Sequence, residues 1–480
     1  MRKITFNTAV FLGGILMCHT SYATDISALK EKVDNWIEAK KVELSNFDCH
    51  SDSNYDEDKC KTVTVRFSDG QFIDEKTRSD QTILIIDTNL EFPSVLRYRS
   101  RIKAAYIQDD EGMYVMGSDS LFEVPSFVRT TLQQIDNFTD YDDNPTFVPA
   151  SWFGELYSTF DDKYPYYNYI QYIGHGVTPL TYLLEHNPQA ELVIASPPAF
   201  FSKQSEWFCN PQDIDDSGVS NLTKLEDFII EASQDFNEKV MSVVTGQGIN
   251  YVNYSGGFTI DTVKEQWTQT CGTYLPSDTV ITDLLNSMRP FYDVLFNNLG
   301  VMGFQATGVD MTKTNNALDI DTSFKNRMLV GDYTTGDQDS NLPEDGYLKG
   351  YPPALVENRN NSKKWIDVFI NFGVETARPF PYNATPVMQT DILGLDSFPI
   401  TSMTPSWATP VALSRAIHLS NTNFYSGDDP NDVINSIKSD MTPADCEYWG
   451  WRYREYRKKC KMQDPLKHRQ HEVYRLGFLD

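Results

Sequence analysis

The clearest apolar pattern in the chain begins at Thr82, where Ile83-Leu84-Ile85-Ile86 runs without a polar break. A strand with one solvated face alternates apolar and polar residues. An unbroken run of this length therefore predicts a strand buried on both faces. Similar runs occur at Leu192–Ala195, Tyr251–Tyr254, Val301–Ala306 and Trp365–Ile370. Between them, apolar residues recur at helical spacing over Thr178–Glu185, Leu222–Phe236, Thr279–Leu299 and Ala408–Leu419. Strands alternating with helices predict an α/β fold with a central, mostly parallel sheet flanked by helices. No internal repeat is found.

The pattern changes at both ends. Residues 1–23 start with Arg2 and Lys3, continue through an apolar stretch from Ala9 to Met17, and end in Ser21-Tyr22-Ala23. This is the pattern of a secretory signal peptide, too short to span a bilayer stably. Cys18 suggests a lipoprotein, but Met17 before it is too large for that processing site. Residues 24–78 pair a helical pattern (Ile26, Leu29, Val33, Ile37) with a polar, acidic stretch over Asp48–Asp58. They read as an N-terminal extension or propeptide. Residues 79–425 carry the α/β pattern, interrupted by an acidic, turn-rich surface loop at Asp332–Gly350. Residues 426–480 are polar, with Arg452–Lys461 dense in Arg, Lys and aromatics, and read as a C-terminal cap.

Charge and cysteines narrow the function class. The 480 residues carry a formal net charge of −26. Losing residues 1–23 removes two basic residues and leaves 39 against 67 acidic ones, a net −28. Such a surface repels nucleic acid and anionic membranes, so neither is expected as a partner. Cys49, Cys60, Cys209, Cys271, Cys446 and Cys460 remain, an even count behind an export signal, and predict three disulfides. Proximity favours Cys49–Cys60, Cys209–Cys271 and Cys446–Cys460. Neither a CxxC pair nor HExxH occurs, which argues against zinc.

Three residues stand where chemistry is performed in α/β proteins. Asp87 ends the apolar strand, and functional side chains gather at the carboxyl ends of parallel strands. Alone it reads as a turn cap. His175 lies between glycines, which permit a sharp turn and close approach of a substrate. Alone it reads as a structural histidine. Ser406 precedes an apolar helix, where serine is a common N-cap. The alternative for Ser406 is a nucleophile at a helix N-terminus, whose N–H groups and dipole stabilise an oxyanion.

The order and flanks of these residues resemble the subtilisin-like serine peptidases, or subtilases. That family ends a strand in Asp-Thr-Gly, against Asp87-Thr88-Asn89 here. Its His-Gly-Thr, helix and Pro-x-Ala-x-Leu succession parallels His175-Gly176-Val177 and Pro188-Gln189-Ala190-Glu191-Leu192. Its substrate-lining Asn-x-Ser-x-Gly parallels Asn253-Tyr254-Ser255-Gly256-Gly257. Its Gly-Thr-Ser-x-Ala-x-Pro parallels Thr404-Pro405-Ser406-Trp407-Ala408-Thr409-Pro410. The resemblance spans about Thr82 to Asn421 and implies a subtilisin-like three-layer fold. It implies a triad of Asp87, His175 and Ser406 acting through an acyl-enzyme. It also implies a peptide or protein substrate paired along Tyr254–Gly257, with Tyr254 and Phe258 shaping a specificity pocket. No cofactor is required. The family often carries a structural calcium, for which no residues are assigned here.

The chain departs from the family in two places. Thr404 and Pro405 replace Gly-Thr before the serine. Val309 falls at the oxyanion-hole position that the family fills with Asn, leaving the Ser406 backbone N–H as a donor and Gln305 or Asp310 as substitutes. These departures keep open a degenerate relative that binds peptides without cleaving them. An α/β-hydrolase esterase fits less well, because Ser255 has Asn253 where that fold needs glycine. A calcium loop at Asp213, Asp215, Ser217 and Gly218 fails at its twelfth position, which is Lys224.

Overall fold

The structure is a computed structural model describing residues 26–441, except 89, 91, 118–121, 138–139, 142–143, 146–147, 164–174, 243–247, 273, 308–316, 334–365, 372–387, 400–403, 426 and 428. Its centre is an eight-stranded sheet of β1 (Arg78–Ile86), β2 (Ile102–Gln108), β3 (Tyr114–Met116), β4 (Ala190–Ala195), β5 (Tyr251–Tyr254), β6 (Met302–Ala306), β7 (Arg327–Tyr333) and β8 (Val368–Asn371). The spatial order is β8-β7-β6-β5-β1-β4-β2-β3. Every pairing is parallel except that of the edge strand β3, which is antiparallel to β2. The chain is therefore α/β, with a central, mostly parallel sheet flanked by helices.

The unbroken apolar run of β1 serves two cores. Successive strand side chains point to opposite faces. Ile83 and Ile85 enter one buried cluster, with the helices Val177–His186, Pro405–Thr422 and Pro430–Met441. Leu84 and Ile86 enter the other, with Asn221–Phe236, Ile260–Thr270, Asp278–Ser287 and Arg289–Phe296. A third cluster lies to the side. There Leu29, Val33 and Ile37 of the helix Ile26–Ser45 meet Phe127, Phe153 and Leu393. The helical face read from residues 26–37 is thus packed against the body of the protein.

The expected strands fall at or near their predicted positions, and three strands of this sheet were not anticipated: β2, β3 and β7. The apolar stretch Thr279–Leu299 is two helices meeting at Met288, with Pro290 in the first turn of the second. Proline lacks the N–H that would continue the first helix. The loop expected at Asp332–Gly350 is corrected at its start, since β7 runs through Tyr333; residues 334–350 lie outside the described residues. The acidic loop is closed by the protein itself. Asp215 accepts hydrogen bonds from Ser217 and Val219 and pairs with Lys224 Nζ at 2.8 Å. The Lys224 contact comes first among the causes that hold this carboxyl well below the usual range.

Two of the three expected disulfides are present, Cys49–Cys60 and Cys209–Cys271. Cys446, Cys460, Arg452–Lys461 and residues 1–23 lie outside the described residues. A cross-link stabilises mainly by restricting the unfolded chain, more so for longer loops. The two bridges close separations of 62 and 11 residues. Replacing Cys209 and Cys271 with serine should lower the unfolding free energy by about 2–5 kcal/mol in urea denaturation. The Cys49→Ser, Cys60→Ser pair should cost less, and the reverse ranking would contradict the loop-length argument.

Candidate active site

Strand register assembles the first part of the site. β1 and β5 are neighbours with Ile85 opposite Asn253 and Ile86 opposite Tyr254. One residue further along, Asp87 therefore stands beside Ser255 at the carboxyl edge of the sheet. Side-chain alternation puts both on the Ile83 and Ile85 face, the one covered by the helices that follow His175 and begin at Pro405.

His175 is held over Asp87 by two contacts. Its Nδ1 lies 2.6 Å from Asp87 Oδ1. The next residue, Gly176, donates its N–H to the Thr88 carbonyl at 2.8 Å. A side chain at Gly176 would meet that carbonyl oxygen at 2.5 Å and Leu90 at 2.8 Å, so the glycine is what lets the two segments approach. The Asp87 side chain is 3% exposed and the imidazole 37%. Burial pushes the Asp87 carboxyl above its ordinary range, and the His175 hydrogen bond, the Thr88 amide and the Ser255 hydroxyl oppose that push. A carboxylate at Nδ1 fixes the tautomer of a neutral imidazole and leaves Nε2 as a proton acceptor facing away.

Ser406 is the second residue of the helix Pro405–Thr422. It is not the N-cap expected from the sequence. Thr404 takes that place, its hydroxyl accepting from the Ser406 N–H at 3.4 Å. The reason is local. Pro405 fits the first helical position, which moves the cap two residues upstream. The Ser406 hydroxyl donates to the Ser255 carbonyl at 3.2 Å, and the Ser255 hydroxyl donates back to the Ser406 carbonyl at 3.1 Å. Pro410 explains the second bond. In a regular helix the Ser406 carbonyl would accept from the N–H of residue 410, and proline has none. Asn253 Nδ2 then donates to Ser255 Oγ at 2.9 Å and fixes the hydroxyl.

Asp87 and His175 are thus in direct contact, and Ser406 lies at the same corner. Its neighbour Trp407 places its ring 4.6 Å from the imidazole. Among the described residues no hydrogen bond joins His175 to Ser406, because the hydroxyl is engaged by Ser255. Of the segment expected to line a substrate, Asn253 and Tyr254 are buried, while Gly256 and Gly257 are partly exposed. Gln305 is corrected as an oxyanion donor. It lies opposite Tyr254 in the sheet, so its side chain points to the other face. There Gln305 Nε2 donates to Asp319 Oδ1 at 2.6 Å and Oε1 accepts from Arg327 at 3.0 Å. Val309 and Asp310 lie outside the described residues. No group of three or more His, Cys, Asp or Glu side chains that could hold a metal occurs among the described residues.

No family model matches the chain, and no curated protein matches it. Among solved structures, it is similar to the prenylagaramide maturation protease PagA (12% identity, TM-score 0.29, 82% of this chain and 95% of that one). It is also similar to a lanthipeptide protease (10%, 0.33, 83% and 89%) and to Pseudomonas sedolisin, a serine-carboxyl proteinase (10%, 0.32, 85% and 99%). At such TM-scores the chemistry has to be argued from this chain's own residues.

The Asp87–His175 contact depends on the absence of a side chain at Gly176. Gly176→Ala should destabilise the protein by about 1–3 kcal/mol through overpacking against Thr88 and Leu90. In proton NMR it should also weaken the downfield imidazole N–H signal that a carboxylate-bound histidine gives, as Asp87→Asn should. An unchanged signal in Gly176→Ala would show that the glycine does not set this geometry.

Proposed function

We propose that the chain is an exported, subtilisin-like serine endopeptidase using Asp87, His175 and Ser406. The observation that carries this reading is the 2.6 Å contact of a buried carboxylate with His175 Nδ1, beside a serine on the first turn of an 18-residue helix. Ser406 Oγ bonds to the scissile carbonyl carbon while its proton passes to His175 Nε2. The carbon–nitrogen bond breaks and the leaving amine takes that proton. Water repeats the sequence on the acyl-enzyme and restores the serine. Asp87 holds the tautomer and offsets the charge that forms on the ring. The positive end of the helix dipole favours the negative charge developing on the carbonyl oxygen.

To reach His175, the Ser406 hydroxyl leaves the Ser255 carbonyl for another staggered rotamer, a change of one side-chain torsion. A peptide pairs along Ser255–Gly257, and Val309 takes the oxyanion position. Export agrees with the disulfides Cys49–Cys60 and Cys209–Cys271 and with a signal peptide at residues 1–23. Among the described residues no helix is long and apolar enough to cross a membrane.

One observation favours a second reading, a peptide-binding protein with little cleavage. The hydroxyl and the amide of Ser406 are both engaged, by Ser255 and Thr404. A fluorophosphonate distinguishes the two. The peptidase should be labelled at Ser406, Ser406→Ala should not be labelled, and Asp87→Asn should slow turnover by on the order of 10⁴-fold. Turnover of casein should be weak and should rise in Val309→Asn, since one missing oxyanion donor costs about 10²–10³. Folded, processed protein that resists labelling establishes the binding protein instead.

A further inference from the structure

The sequence leaves residues 24–78 as an extension or a propeptide, and the packing distinguishes the two. A propeptide that inhibits has to cover the site it blocks, and it ends at a bond that the site can cut. Residues 26–77 do neither. Among the described residues, the hydrogen bonds and ring contacts of Asp87, His175, Ser255 and Ser406 come from outside this segment. The segment builds a core elsewhere. Leu29, Val33, Leu44, Phe47 and Val65 are 0–2% exposed and share one cluster with Phe127, Leu132, Phe153 and Leu393 from later in the chain. The Phe47 and Phe127 rings meet edge to face at 5.2 Å. Without the segment, its apolar partners would face water as one patch.

Backbone and charge cross the same boundary. Thr62–Val65 pairs antiparallel with Phe122–Pro125, and the Ser126 N–H donates to the Lys61 carbonyl at 2.9 Å. Two buried cations reach over from opposite sides. Arg99 Nε donates to the Phe67 carbonyl at 2.6 Å, with its guanidinium 3.8 Å from the Phe67 ring centre. Lys76 Nζ donates to the Asp136 carbonyl at 3.2 Å. A buried donor that loses its acceptor costs free energy, so Arg99 suits a chain that keeps Phe67. The lobe also braces the site from behind. Ala150, beside Trp152 and Phe153 of this core, donates its N–H at 2.8 Å to Glu185 Oε1, on the helix that follows His175.

The end of the segment is fixed far from the serine. The Arg78 N–H donates to the Gln189 carbonyl at 2.8 Å, and the Thr77 hydroxyl donates to Glu191 Oε1 at 3.2 Å. From Arg78, β1 runs nine residues to Ile86, just before Asp87. At the rise of an extended strand this puts the bond between residues 77 and 78 roughly 30 Å from Asp87, at the amino edge of the sheet. Bringing that bond to Ser406 would pull β1 from between β4 and β5. We infer that residues 26–77 stay in the working protein as one wall of this lobe and are not an inhibitor shed on maturation. The inference concerns packing and stands apart from the peptidase reading.

The test begins with mass. Full-length wild-type and Ser406→Ala chains are exported from one host and weighed intact. Both should keep residues 26–77, and folded wild-type protein that has lost them overturns the inference. Limited trypsin digestion gives an arm that needs no activity, because the segment carries lysines from Lys30 to Lys76. Its loss should abolish the cooperative thermal transition, and a stable folded core starting near Arg78 overturns the inference. A third arm inserts a specific protease site after Gly70. Cutting there should leave the rate of fluorophosphonate labelling at Ser406 unchanged or lower. A rise of about tenfold or more, as on release of a tethered inhibitor, overturns the inference. Absence of labelling before and after the cut, with the segment retained and trypsin removing it only on unfolding, overturns the peptidase reading and leaves this one standing.

Discussion

The exchange of hydrogen bonds between Ser255 and Ser406 is the contact on which the site depends. It ties the end of a central strand to the start of the long helix that roofs the sheet. The bond from the Ser255 hydroxyl to the Ser406 carbonyl has no place in a regular helix with an ordinary residue at 410. Pro410 withholds one N–H, the Ser406 carbonyl is left without its helical partner, and the strand supplies the replacement. A helix interior usually rejects proline because an orphaned carbonyl is costly. Here the orphan is the point of attachment. The same attachment determines where the serine hydroxyl, the Trp407 ring and, through that ring, the imidazole can lie.

The sheet separates two kinds of polar chemistry. On one face Asp87 and Ser255 stand side by side under two helices. On the other, Gln305, Tyr292, Asp319 and Arg327 form a buried network among aromatic rings. In-register parallel neighbours share a face, so one glutamine placed opposite Tyr254 belongs wholly to the second group. A proton-transfer pair and a fixed anion can therefore coexist within a few residues of chain without sharing hydrogen bonds.

The sequence made some of this legible and concealed the rest for physical reasons. Strands β1, β4, β5 and β6 were readable because a strand covered on both faces carries a run of apolar residues. β7 begins with Arg327 and includes Asp332, and β2 includes Lys103. The side chains of Arg327 and Lys103 are accounted for by distant partners, Arg327 by backbone carbonyls and Lys103 by Glu191 at 3.0 Å. Local pattern cannot reveal such partners. The positions of Asp87 and His175 at the ends of their elements were readable, and the two residues do meet. The engagement of Ser406 by Ser255 was signalled only by the four-residue spacing of Ser406 and Pro410. Asp319 carried no sequence signal at all. Its burial depends on Gln305 and Tyr292, 14 and 27 residues away along the chain.

The loop around Asp215 has one more implication. Acidic turns of this kind commonly collapse around a dissolved cation, and their order then follows the ion content of the surroundings. Lys224 brings that positive charge on a tether, four residues into the helix Asn221–Phe236. The local charge balance is therefore inherited with the polypeptide and does not have to be drawn from the medium. This turn therefore folds alike in media rich or poor in divalent ions.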